Sequence, residues 1–208
     1  MVAGPDVTYE QYWRDLQRAR DVATPPLELA ELAVSPVPDI QQAVAANTNA
    51  CGDTLYYLAV HGSFSVQCLV AGNSSAPEKA VDYLSRAKDW QMRRCVAKDS
   101  TLTLKMAKRL ARDKIWSVQT ALAGNLYVPA EVHRRIAQSR DVYTRLALAE
   151  NPITIASTLK ILAVDLAKEV RVRVARHPNT PPLVKIYLQT DGHFGMTLDE
   201  FLKTAGGR

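Results

Sequence analysis

The sequence predicts an all-α solenoid, and three observations carry that prediction: a gapless 26-residue repeat, apolar residues at helical spacing inside each copy, and turn-forming residues closing each copy at one position. The repeat appears on sliding HPNTPPLVKIYL (177–188) back along the chain. It meets ENPITIASTLKIL (150–162), GNLYVPAEVHRRI (124–136), KDSTLTLKMAKRL (98–110), GNSSAPEKAVDYL (72–84), ANTNACGDTLYYL (46–58) and DVATPPLELAEL (21–32). Six units follow, 22–47, 48–73, 74–99, 100–125, 126–151 and 152–177, with a half-unit after them.

Composition allows such a stack. The 208 residues are 47% hydrophobic and 23% charged with 9 Gly and 11 Pro, which suits one soluble domain with a substantial core and excludes a disordered chain. No apolar run is long enough to span a membrane, and the first residues lack a basic segment followed by an apolar one, so a cytoplasmic, membrane-free protein is expected. Cys51, Cys68 and Cys95 are too few and too dispersed for a disulfide framework or a zinc site.

Taken in order, residues 1–21 supply an N-terminal capping helix, with Tyr9, Tyr12, Trp13 and Leu16 at helical spacing. A solenoid needs such a cap because its terminal repeat has one core face without a neighbour. Each unit then contains two helices. Helix A begins where proline falls at the first helical position (Pro25, Pro77, Pro129, Pro181), with Thr24 and Thr180 placed to cap it. Its core stripe is Leu29/Leu32/Ala33 in the first unit and recurs through Leu159/Leu162/Ala163 in the sixth. Helix B buries Ile40/Ala43/Val44 and their equivalents, and each ends in alanine: Ala45, Ala71, Ala97, Ala123, Ala149, Ala175. A small residue at one fixed position predicts close approach of two helices. The unit closes on Asn47, Asn73, Asp99, Asn125, Asn151 or His177, a composition suited to left-handed backbone at a helix end. Within 191–208, Thr197 three residues before Glu200 predicts a capping box opening a short C-terminal helix.

The pattern of VRVRVARHPNTPPLVKIYL, and of VATPPLELAELAVSPVPDIQQAVAANTN, resembles the leucine-rich repeat variant family over residues 22–190. That resemblance implies a right-handed α–α superhelix in which the second helix of each unit is short and sometimes 3₁₀. One family member holds an iron–sulfur centre in an N-terminal cysteine cluster. Residues 1–21 here contain no cysteine, so no cofactor is carried over.

No catalytic or metal-binding motif emerges. The histidines, His61, His133, His177 and His193, share no ligand spacing and are expected at the surface or in caps. Phe64, Trp90 and Trp116 form a row near the start of helix B, expected to pack between helices. Asp113 precedes Trp116 by three residues, and helical-repeat DNA-repair enzymes pair aromatics with an aspartate, but the rest of their pattern is missing. An enzyme is therefore the third-ranked reading, and the chain is expected to be non-catalytic.

Charge is more informative. Residues 1–73 carry 3 Lys+Arg against 8 Asp+Glu, whereas residues 74–177 carry 20 against 10. Lys105, Lys108, Arg109 and Arg112 fall on one side of helix A, opposite Met106 and Leu110, and Arg134, Arg135 and Lys160 occupy equivalent places in later units, with Tyr83 in an earlier one. These eight residues are the candidate binding face. The expected function is a repeat scaffold, monomeric, binding a protein with an acidic surface; nucleic acid on the same face is the alternative.

Overall fold

The structure, a computed structural model, describes residues 8–99, 102–190 and 196–205, which form helices and no strand, in keeping with the predicted all-α plan. The chain packs as two compact units, Met1–Met106 and Ala107–Arg208. In the first lie α1 (Tyr9–Arg20), α2 (Pro26–Ala33), α3 (Pro38–Ala46), α4 (Gly52–His61), α5 (Phe64–Gly72), α6 (Glu78–Leu84) and α7 (Trp90–Asp99); α8 (Leu104–Leu110) carries the division. The second holds α9 (Trp116–Gly124), a 3₁₀ turn (Ala130–Val132) running into α10 (His133–Ala137), α11 (Val142–Glu150), α12 (Ala156–Leu162), α13 (Lys168–Arg176), α14 (Pro182–Gln189) and α15 (Leu198–Ala205). No helix among the described residues is long and apolar enough to cross a membrane.

Within each unit like packs on like. In the first, α1, α3, α5 and α7 form one row and α2, α4 and α6 the other; in the second, α9, α11 and α13 form one row and α10 packs on α12. The A stripe predicted from spacing is buried throughout, from Leu29, Leu32 and Ala33 to Leu159, Leu162 and Ala163. Helix B is α-helical and nine or ten residues long, so the 3₁₀ segment expected there occurs instead in the first turn of one helix A. In helix B the middle apolar position is only half buried: Ala43, Leu69, Cys95, Ala121 and Ala147 sit at the margin. Arg173 occupies that place in the sixth unit, exposed and paired with Glu150 at 3.0 Å.

Two local expectations are corrected by hydrogen bonding. The closing residues Asn47, Asn73, Asn125, Asn151 and His177 are extended (φ −69° to −77°), so left-handed backbone is not why asparagine stands there. Instead, the Nδ2 of Asn47 donates to the carbonyls of Ala19 and Asp21, that of Asn73 to Ala45 and Asn47, and that of Asn151 to Ala123 and Asn125. Each Oδ1 accepts the backbone N–H two residues on. His177 reproduces the bond to the previous unit through Nε2, 2.9 Å from the Asn151 carbonyl, while Nδ1 accepts from the Asn179 N–H. One amide thus satisfies helix-end carbonyls that otherwise lack intrahelical partners. Thr24, Thr154 and Thr180 do not cap helix A either. Their hydroxyls donate backward, at 2.6 Å, to Arg18, Leu148 and Val174, closing the preceding helix. Proline falls one place earlier than expected, Pro25, Pro77, Pro129 and Pro181 being the cap residues themselves.

The caps have their helices. α1 packs on α2 and α3 through Leu16 and Ala19, but Tyr9 and Trp13 face solvent and Tyr12 donates its hydroxyl to Asp39 at 3.0 Å. At α15 the capping box forms: the Thr197 N–H donates to Glu200, and the Glu200 N–H donates back to the Thr197 hydroxyl. The Thr197 N–H and the Thr197 hydroxyl, both donating to the Glu200 carboxylate, hold it below its ordinary range. His193 lies outside the described residues.

Candidate functional site

The basic face divides when its residues are placed. In the first unit its cations are largely neutralised: Lys79 pairs with Asp53 at 2.7 Å and lies over the Tyr56 ring, and Arg86 pairs with Asp82 at 2.9 Å. The Lys79 ammonium pulls the Asp53 carboxyl below its ordinary range. Tyr83 is partly exposed and meets Tyr56 edge to face, and Lys105 is exposed at the end of this unit.

In the second unit the charges are open to solvent. Lys108, Arg134 and Lys160 stand at the same position of three successive 26-residue copies, all exposed, with Arg112 exposed beside the first. None of these four has an ion-pair partner among the described residues. Arg109 departs from the expectation: it is half buried, with its Nε withdrawn from solvent. Arg135 is exposed but lines a cleft at the edge where helix A turns into helix B.

That edge holds what the sequence reading misplaced. Trp116 is 55% exposed, Phe64 and Trp90 are also open to solvent, and Tyr143, 63% exposed, lies 6.4 Å from Trp116 between ring centroids. The row therefore does not pack between helices. The interior space it was expected to fill is taken by Val66, Met92 and Val118, two residues further along each helix. Beside Trp116, Lys114, Arg135, Arg140 and Asp141 line a cleft of about 410 Å³. The Oδ2 of Asp141 is occupied, capping α11 at the Thr144 N–H and accepting from the Thr144 hydroxyl.

A second column behind this edge was also missed. Gln41, Gln119, Arg145 and Arg171 occupy equivalent positions, and each donates to a carbonyl six residues earlier. The signal was present in the register as long, donor-bearing side chains at one position. Arg145 adds a two-pronged pair with Asp165 of the next copy, 2.6 and 3.0 Å, both groups largely buried.

Two of the histidines depart from the surface position expected of them. His61 is exposed against Tyr57, but His177 is buried in the asparagine column and His133 has 0% exposure with no hydrogen bond to either ring nitrogen. His133 sits at the register of Leu29, Leu55 and Leu159, so it occupies a core position that sequence register alone identifies. Burial lowers its imidazole below the ordinary value. Cys51 is exposed and Cys68 and Cys95 half buried. No cluster of three or more potential metal ligands occurs among the described residues. Asp113 accepts the Ile115 N–H at 3.0 Å, a turn-forming bond.

Comparison with known proteins matches this geometry at the level of fold. No protein-family model matches the chain, and no curated protein does. Among solved structures it is similar to "a leucine-rich repeat variant with a novel repetitive protein structural motif", with a TM-score of 0.59 and 18% identity over 88% of this chain and 76% of that one. The stacked helical pairs of this chain therefore have the leucine-rich repeat variant fold.

Proposed function

We propose that this protein is a non-catalytic repeat scaffold that holds a protein partner with an acidic surface along the helix A side of its second unit. The observation that carries the reading is the column Lys108, Arg134 and Lys160, three exposed cations without ion-pair partners among the described residues, at one repeat position. Repeated helices pack about 8–10 Å apart, a spacing that suits carboxylates distributed over an extended surface better than a single small anion. Aromatic side chains do not accompany this column. Tyr187, which shares the position of Arg135, is engaged with Phe201 of the C-terminal helix at 5.6 Å. Base stacking therefore has no platform there, and an acidic protein fits better than nucleic acid. Cytoplasmic location and a monomeric state belong to the same reading.

The test is charge reversal at Lys108, Arg112, Arg134 and Lys160 together, with Glu31→Lys as a control, since Glu31 is exposed on the acidic first unit. Capture from a native lysate should recover an acidic protein with wild type and with the control but not with the quadruple variant. Binding should weaken steeply with salt. An undiminished interaction in the quadruple variant would place the working surface elsewhere.

A further inference from the structure

From the Trp116–Tyr143 pair and the cations beside it, we propose a site for single-stranded nucleic acid at the A-to-B edge of the second unit, distinct from the helix A column. Two exposed rings on consecutive copies form a contiguous aromatic surface, 6.4 Å between centroids. Aromatic rings left 55% and 63% in water keep most of their surface out of the core, and that apolar area is available to a planar ligand. Lys114, Arg135 and Arg140 border the Trp116 side in a cleft of about 410 Å³, and none of the three has an ion-pair partner among the described residues. Lys168 continues the edge in the next copy, at the repeat position of Trp116.

This combination discriminates between anionic partners. An acidic peptide needs cations but no flat apolar ring, whereas a single strand presents phosphates and unpaired base faces together. A duplex hides its base faces and would leave Trp116 and Tyr143 unused. Asp141, the carboxylate in the cleft, has its Oδ2 engaged by the Thr144 N–H and hydroxyl, so one of its two oxygens is already committed inside the protein. Stacking on aromatic side chains tolerates any base, so a sequence-independent strand is the expected ligand.

The experiment uses the full chain with Trp13 and Trp90 changed to phenylalanine, which leaves Trp116 alone of the 3 tryptophans. A labelled oligothymidylate should quench Trp116 fluorescence and bind in a salt-dependent manner. In the otherwise wild-type chain, Trp116→Ala with Tyr143→Ala should weaken binding at least about ten-fold, as expected for loss of base stacking. Lys114→Glu with Arg140→Glu should weaken it as well and flatten the dependence of log K on log salt by about 0.7 for each phosphate no longer neutralised. All four side chains are partly or fully outside the core, and thermal melts would confirm folded variants. Undiminished binding by the double aromatic variant, or no change in Trp116 emission, would overturn the proposal. So would polyglutamate displacing the oligonucleotide at equal affinity with the same dependence on Trp116, which would make the edge an acidic-peptide site. Lys108, Arg134 and Lys160 are untouched in these variants, so the outcome is separate from that of the helix A column.

Discussion

The side-chain nitrogen of Asn151 lies 2.7 Å from the carbonyl oxygen of Ala123, twenty-eight residues earlier in the chain, and the same nitrogen reaches the Asn125 carbonyl at 3.0 Å. Both bonds are buried, so the copy that closes on Asn151 is stitched to its predecessor by one amide that fills two acceptors no helix can fill itself. The alanine column and the asparagine column are thus one device. A small side chain at 123 lets the next copy approach, and its carbonyl receives the donor.

Replacing Asn151 with alanine should cost about 2–4 kcal/mol, because two buried carbonyls and the Ile153 N–H lose their partner together. Asn151→Asp should be worse, since it keeps the acceptor for Ile153 but sets a negative charge against two carbonyls. Urea unfolding midpoints measure both. An aspartate variant as stable as wild type would show that these carbonyls do not need a donor.

Ala123 itself offers a complementary test. It is fully buried, so Ala123→Leu should overpack the interface between copies and destabilise by about 1–3 kcal/mol. The equivalent change at Ala175, which is only half buried, should cost less. Equal melting temperatures for the two variants would show that close approach at residue 123 does not hold the copies together.

Much of this architecture was legible because repetition averages out local ambiguity. VRVRVA alternates like a strand, yet Val170 and Val174 are buried on one face of α13, as register with five other copies requires. What escaped was chemistry that spans copies. Nothing local to Asn151 names a carbonyl at 123, and nothing local to Arg145 names Asp165, because both partners are set by the stacking step. The Trp116 row was misread for a related reason. Aromatic residues at a fixed repeat position are equally consistent with packing inside and display outside, and only the placement of Val118 decides between them. In the basic face, composition located the charge but could not show that Lys79 and Arg86 are spoken for while Lys108, Arg134 and Lys160 are not.

His133 predicts a pH dependence with a definite sign. Burial disfavours its charged form, so the folded chain resists protonation while the unfolded chain binds a proton near the ordinary value of 6.5. As pH falls through that value the unfolded state holds more protons, and stability declines until the lower, folded-state value is passed. His133→Leu, which restores the residue found at the same register in Leu29, Leu55 and Leu159, should stabilise the protein at neutral pH by removing two unsatisfied nitrogens. It should also flatten the fall in melting temperature between about pH 7 and pH 5 relative to wild type. Parallel pH profiles for the two proteins would mean that the imidazole reaches solvent or a partner.

The buried pair of Arg145 and Asp165 joins two copies and should respond asymmetrically to its two truncations. Arg145 donates to both oxygens of Asp165 and also to the carbonyls of Ser139 and Arg140, while Asp165 additionally accepts the Ala167 N–H. Arg145→Met leaves a carboxylate only 6% exposed without its countercharge and takes the donor from the part-buried Ser139 carbonyl, so it should cost about 3–5 kcal/mol. Asp165→Asn keeps an acceptor for Ala167 and for one guanidinium N–H, and the Arg145 side chain remains anchored by its carbonyls, so the loss should be smaller. Made together, the two changes remove both charges and should destabilise by less than the sum of the single effects. A double-mutant cycle in urea reads that coupling directly. Additive losses would show that the pair contributes through its separate backbone bonds alone, and the link between these two copies would then rest on the His177 imidazole at the Asn151 carbonyl and on the apolar rows.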